Sequence, residues 1–339
     1  MEAQEPQNNQ PAVLTEAEPL NPQPADGPEA EHLSNVAEGE KPFLTRVTDA
    51  VRRCFNRVRP VIPFETVQRY VFKPPEPTYT LRYDNGRRRK LLELRRPTEG
   101  ISQEDLYDIY VEEALNQLTN LSICTIFWPC PNSTYTLVVS HDSAVDIGSD
   151  LVFTKRLRNQ LQCNVFTYDY SGYGCSGGRP ELPSETNLYA DARTAFSVLH
   201  GRVDPNKIIF FGQSVGTAPS IHLAMDDYAY GGLILQSPFT SYMASRHWYW
   251  TPFMDYDFLH CADKIKRVAC STAVIHSTRD KVLSYRNAKK MAKNAPQLRF
   301  WILSIADHNT LNNQDCDNLR EFIYNRSGSW AEPSTINGG

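Results

Sequence analysis

Nowhere in this 339-residue chain do eighteen apolar residues follow one another, so no segment is long enough to cross a bilayer as a helix. Cysteine never occurs as a C-x-x-C pair. The eight cysteines, at 54, 124, 130, 163, 175, 261, 270 and 316, are scattered. Several fall inside apolar strand patterns, where a free thiol packs as a small hydrophobe. An apolar leader is also missing from the first residues, and together these features set the expectation of a reducing, cytosolic compartment. The sequons at Asn120, Asn132 and Asn325 are then expected to stay unused. Residues 1–40 contain no lysine or arginine but nine acidic residues and six prolines. Such a stretch buries too little apolar surface to offset its ordering entropy and is expected to be disordered, as is the short tail 327–339.

Acidic residues are scarce next. Between residues 41 and 73 eight basic residues face only Asp49 and Glu65. Leu44, Val47, Val51, Cys54, Phe55 and Val58 recur at helical spacing among Arg46, Arg52, Arg53, Arg57 and Arg59, which reads as a basic amphipathic helix ending before Pro60. Two readings fit: a surface helix for anionic lipid through residues 42–59, with Cys54 as an acylation site, or a helix packed on the folded domain with an inert cysteine. The formal net charge of −4 gives no reason to expect a nucleic-acid partner.

From residue 74 onward the chain has the length of one large α/β domain, taken as 74–326. Residues 74–77 are Pro-rich and extended, and the run Arg87-Arg88-Arg89-Lys90 reads as a solvated charge cluster. Residues 106–111 and 123–128 read as the first strands, paired antiparallel. Strands at 136–140, 164–170, 208–211, 232–236, 272–276 and 299–305 then alternate with helical patterns. This alternation predicts a mostly parallel sheet with helices on both faces and a site at the carboxyl ends of the strands. The connection 238–264 interrupts the rhythm with a dense set of aromatics. Phe239, Tyr242, Trp248 and Trp250 could wall an acyl-chain pocket, or form a capping helix buried by its own rings.

Within that rhythm, Gly212-Gln213-Ser214-Val215-Gly216 sits between a β-branched, aromatic strand and a helix. A bare G-x-S-x-G is weak, but strand–turn–helix is the context a nucleophile elbow needs. The tight turn lifts the serine hydroxyl above the sheet, and the flanking glycines leave room where a Cβ would collide. A serine needs a base and an orienting acid, which in this arrangement follow it in the order acid, then histidine, each after a later strand. Asp280 and His308 occupy those two loops. His276 lies within a strand, His222 and His200 in helices, His247 and His260 in the aromatic connection and His32 in the tail. Asp315 and Asp317 come after the histidine, in the wrong order. The backbone N–H of Val215 and one from the loop after strand 136–140, Ser143, are the expected oxyanion donors.

Several motifs then align with one family. They are Pro74-Pro75-Glu76-Pro77-Thr78-Tyr79, the loop 140–148, the stretch from Asn164 to Gly174 with its Tyr168-Asp169-Tyr170-Ser171-Gly172-Tyr173-Gly174 end, Asn187-Leu188-Tyr189-Ala190-Asp191, and the elbow itself. In order and spacing they resemble the α/β-hydrolase domain-containing protein 17 family, serine hydrolases that remove palmitate from protein cysteines. The resemblance implies an α/β-hydrolase fold, a Ser214–His308–Asp280 triad, no metal or organic cofactor, and S-acylated protein substrates at the cytoplasmic face of plasma or endosomal membranes. It also marks a divergent member. The family pattern has glycine where this chain has Asp142, Ser277 and Asp307, and its cysteine-rich N-terminus is reduced here to Cys54. A carboxylate at 142, beside a proposed oxyanion donor, would oppose the charge such a hole stabilises. The expected activity is therefore hydrolysis of long-chain acyl thioesters. Its rivals are a weak or inactive hydrolase-fold binding protein and a carboxylesterase or lipase acting on small esters.

Overall fold

Strand residues of this chain point alternately to two apolar layers, and that alternation decides which helices cover which face. The structure is a computed structural model that describes residue 68 and residues 71–178, 184–246, 257–308 and 310–325. The acidic tail, nearly all of the basic segment including Cys54, the aromatic residues Trp248 and Trp250, and the final residues 326–339 lie outside those described.

The central sheet has eight strands: β3 (Tyr110–Asn116), β4 (Leu121–Trp128), β5 (Thr136–Ser140), β6 (Asn164–Tyr168), β7 (Ile208–Gln213), β8 (Gly232–Gln236), β9 (Thr272–Ser277) and β10 (Leu298–Ser304). Their spatial order is β10-β9-β8-β7-β5-β6-β4-β3. From β6 through β10 every pairing is parallel, while β4 runs antiparallel to both β6 and β3. On one face Val138, Phe166, Phe210, Leu233 and Val274 join residues of α3 (Glu185–Ser197), α4 (Thr217–Ala224) and α7 (Tyr285–Asn294). On the other, Leu137, Val165, Ile209, Phe211 and Ile275 meet α2 (Ile147–Leu161) and α8 (Asn313–Tyr324). This is the α/β-hydrolase architecture expected from the alternating pattern. The short helices α5 (Tyr242–Arg246) and α6 (Cys261–Lys264) lie within the aromatic connection.

The chain goes from β5 to β6 on one side and then crosses to β7 on the other side of β5. Such a reversal opens a crevice at the carboxyl ends of β5 and β7, where doubly wound sheets place their ligands. Ser214 leaves β7 there and Ser143 follows β5.

The first elements differ from the sequence expectation. Residues 103–108 form a helix, α1 (Gln103–Asp108), and the strand begins only at Tyr110. Ser102 accepts from the Asp105 N–H while the Asp105 carboxylate takes the Ser102 N–H, a capping box that starts a helix whatever the apolar pattern downstream. Ahead of it lies a hairpin, β1 (Tyr79–Asp84) with β2 (Arg89–Leu94), paired in register from Tyr79 opposite Leu94 to Asp84 opposite Arg89. Part of the basic run read as a solvated cluster is thus a strand. Arg89 reaches the Tyr107 carbonyl, and Lys90 pairs with Glu113.

Candidate active site

Ser214 takes φ +52°, the left-handed region that a non-glycine residue enters only when its surroundings hold it there. Those surroundings are tight. A Cβ on Gly212 would lie 2.6 Å from the Gly216 carbonyl oxygen, and one on Gly216 would lie 2.0 Å from the Ser140 carbonyl oxygen. Glycine at both positions lets the β7 turn press directly against the end of β5. Gly216 is thereby brought beside the Ser140 and His141 carbonyls, and Val215, first in the turn after the serine, is buried.

The three residues singled out for nucleophile, base and acid come together. His308 Nε2 lies 3.3 Å from Ser214 Oγ, and His308 Nδ1 is hydrogen-bonded to Asp280 Oδ2. The second Asp280 oxygen accepts from the Val282 N–H at 2.7 Å and the Leu283 N–H at 2.8 Å. Burial by itself would raise the Asp280 carboxyl. The His308 ring and those two N–H groups outweigh it and hold the carboxyl below its ordinary value, so it stays ionised at neutral pH.

Two residues that the sequence does not single out complete this half of the site. His276, set aside because it lies in a strand, ends on the same acid: its Nε2 lies 3.0 Å from the Leu283 carbonyl and 3.4 Å from Asp280 Oδ2. Burial holds its imidazole below the ordinary histidine value, so it serves as a neutral donor and not as a competing cation. Ser237, at φ +48° just beyond β8, donates its hydroxyl to the His308 carbonyl at 2.8 Å and so fixes the backbone that carries the base. A strand-end histidine four residues ahead of the acid was the available signal for the first. Nothing in the sequence marks the second.

The β5 side is fastened by tyrosines. Tyr168 Oη is 2.8 Å from Ser140 Oγ, Tyr170 donates to the His141 carbonyl at 2.7 Å, and Tyr173 donates to the Ser143 carbonyl at 2.8 Å. The Ser143 carbonyl also accepts from the Lys73 N–H at 3.2 Å. Beneath this loop lies a buried polar cluster. The His141 ring lies 4.2 Å from that of Tyr170, tilted by 33°, and approaches Asp169 at 3.4 Å, and Asp169 accepts from the Tyr79 hydroxyl at 2.6 Å. Burial alone would lower the His141 imidazole, but the Asp169 carboxylate lifts it above its ordinary value. Asp142 is buried at 8% exposure, and its Oδ1 takes a long contact, 3.4 Å, from the Ser143 hydroxyl. Ser277 accepts the Arg279 N–H at 3.0 Å, which shapes the turn leading to Asp280, while Asp307 is exposed.

Phe239, at 3% exposure, packs in the core with Met243 and Phe258, and the ring of the partly buried Tyr242 lies 5.2 Å from that of Phe258.

A serine at a strained strand-to-helix turn, with an aspartate and a histidine from the loops after β9 and β10 of a mostly parallel sheet, defines an α/β-hydrolase of the serine hydrolase class. A family model described as serine aminopeptidase, S33, matches residues 136–255. The chain is 38% identical over 273 residues to the alpha/beta hydrolase domain-containing protein aho-3 of Caenorhabditis elegans, covering 78% of this chain and 79% of that one. It is 33% identical over 279 residues to the human alpha/beta hydrolase domain-containing protein 17B, covering 78% of this chain and 92% of that one. The chain belongs to the alpha/beta hydrolase domain-containing protein 17 family. Among solved structures, an esterase of Pyrococcus furiosus superposes with a TM-score of 0.55 at 14% identity, over 69% of this chain and 96% of that one. Est1E of Butyrivibrio proteoclasticus does so with 0.52 at 12% identity, over 62% and 97%, and both likenesses concern the fold.

Proposed function

We propose that this chain hydrolyses long-chain acyl thioesters, palmitoyl-cysteine in proteins, at the cytoplasmic face of a membrane. The observation that carries the chemistry is the 3.3 Å approach of His308 Nε2 to Ser214 Oγ with Asp280 bound behind the ring. His308 takes the serine proton as Oγ attacks the acyl carbonyl, and Asp280 holds the imidazole in the tautomer that leaves Nε2 free to accept it. The amides of Val215 and Ser143 receive the oxyanion. The departing thiol has a pKa of about 8.5, so it needs less help from the acid than an amine would. Water, activated by the same histidine, then releases the acyl group. Kinship with a family of depalmitoylating hydrolases supports the substrate assignment, and the basic segment 42–59 with Cys54 supports attachment to an anionic membrane surface.

One observation favours a second reading. Asp142 places a buried carboxylate beside the Ser143 donor, which suits a weak enzyme or a binding protein built on the hydrolase fold. Incubating purified protein with a palmitoylated cysteine peptide and with a short-chain ester separates the possibilities. Palmitate release that exceeds ester turnover and vanishes in Ser214→Ala is the expected result. Ester turnover alone would assign a carboxylesterase, and loss of both would leave the binding protein.

A further inference from the structure

Residues 281–306 hold six lysines and arginines and no carboxylate, in a chain that carries 39 acidic against 35 basic residues overall. The stretch runs from the Asp280 turn through α7 and β10 to the loop of His308, so it is built into the same edge of the sheet as the acid and the base. Helix α7 packs inward through Asn287, Ala288, Met291 and Ala292. What remains outward is a single stripe at helical spacing, namely Val282, Tyr285, Arg286, Lys289, Lys290 and Lys293, all exposed.

Charge on this stripe has no direct ion-pair partner among the described residues. Among the described residues no ion pair joins Arg286, Lys289, Lys290 or Lys293 to a carboxylate. Asp263, whose charge is felt by Lys290, is already bonded to Lys266 at 2.8 Å. A solvated helix face ordinarily interleaves the two signs, because like charges four residues apart repel. Here Arg286 and Lys290, and Lys289 and Lys293, stand at that spacing. At the end nearest the site the stripe turns apolar: Val282 is 46% and Tyr285 45% exposed, and Ile305, on the turn after the neighbouring strand, is 63% exposed. The Val282 and Leu283 N–H groups bind Asp280, so this apolar end adjoins the catalytic acid. Cations along a helix with apolar side chains at one end are the composition of a surface that lies in a charged lipid interface.

We propose that the α7 face docks the folded domain on an anionic phospholipid bilayer. The lysines and Arg286 engage headgroups, while Val282, Tyr285 and Ile305 enter the interface beside the turn that carries Asp280. Docking here is separate from the basic segment 42–59, and it does not depend on which acyl group Ser214 attacks. The test therefore needs no turnover.

The full-length protein is sedimented with phosphatidylcholine vesicles with and without phosphatidylserine, as wild type and as Lys289→Gln/Lys290→Gln/Lys293→Gln. Wild type is expected to prefer the anionic vesicles and to lose them as salt rises. The variant should bind about fivefold more weakly per lysine neutralised, on the order of a hundredfold in all, with an unchanged thermal unfolding temperature. Val282→Ser/Tyr285→Ser should weaken binding without changing its salt slope. If the triple variant fails to fold, Lys293→Gln alone carries the test, with about a fivefold loss expected. Undiminished binding by the folded lysine variants would overturn the proposal, as would equal affinity of wild type for neutral vesicles. So would variants that keep vesicle binding but lose a polyglutamate peptide, which would assign the face to an acidic protein.

Discussion

Asp142 stands beside Ser143, the proposed oxyanion donor. Its neighbour Ser143 is pinned through its carbonyl by Tyr173 and Lys73, so the loop has little freedom to swing the carboxylate away. A carboxylate beside the proposed donor would oppose the charge that an oxyanion develops there. Asp142→Asn keeps an oxygen to accept from the Ser143 hydroxyl while removing the charge. The expected outcome is a rise in kcat of about tenfold with KM nearly unchanged, read by steady-state hydrolysis of an acyl thioester. A kcat that stays level or falls would place the Asp142 charge outside the reach of the reaction. The histidines make a complementary point. Placement in a strand was a sound reason to exclude His276 as the base, yet it overlooked that the last strand residues turn their side chains toward the same crevice. His276 thus supports the acid from behind, a role that periodicity cannot distinguish from packing.

At the scale of elements, the loop after β5 works as part of a clamp formed with the turn after β6. Tyr173→Phe removes one of two hydrogen bonds to the Ser143 carbonyl and leaves the ring in place. Stability should fall by about 1 kcal/mol, while kcat falls about tenfold because the proposed donor loses its position. Thermal unfolding and steady-state kinetics on the same preparation check both. Helix α2, which follows that loop, carries its own liability. Asp150 is buried, one carboxylate oxygen lacks a hydrogen-bond partner, and burial raises its pKa to about 7. The folded state therefore holds a proton that the unfolded state releases near pH 4. Stability from this group is complete below about pH 4, falls as pH rises toward 7, and levels off above. Asp150→Asn should raise the unfolding temperature at pH 8, leave it nearly unchanged at pH 4, and flatten the decline between. An equal gain at both pH values would contradict this account.

The elements that sequence reading recovered and those it missed differ for physical reasons. From β5 through β9 the strands are buried on both faces, so apolar runs mark them to within a residue or two, and β8 falls at 232–236 as read. The opening hairpin lies outside the main sheet and is rich in arginine, so hydrophobicity said little about it. The Asn85-Gly86 pair at its turn was the usable signal, as the Ser102–Asp105 capping box was for α1. In the site, Ser214, Asp280 and His308 were legible because loop order is fixed by the sheet. Ser237 and the tyrosine clamp were not, because they act through backbone carbonyls whose positions only the tertiary structure reveals.

Taken whole, the molecule places its chemistry on one edge. Ser214 rises at the crevice between β5 and β7, the acid and base come from the turns after β9 and β10, and the cationic helix between those turns faces outward beside them. Among the described residues no helix is long and apolar enough to cross a membrane. That arrangement has one requirement: Ser214 must be a nucleophile. The direct test is labelling of the purified protein with a fluorophosphonate, which forms a covalent bond only with an activated serine. Labelling of the wild type that disappears in Ser214→Ala and drops at least a hundredfold in rate in His308→Ala is predicted. A wild type that stays unlabelled, or a Ser214→Ala protein that labels equally, would contradict the assignment of this site as an active hydrolase.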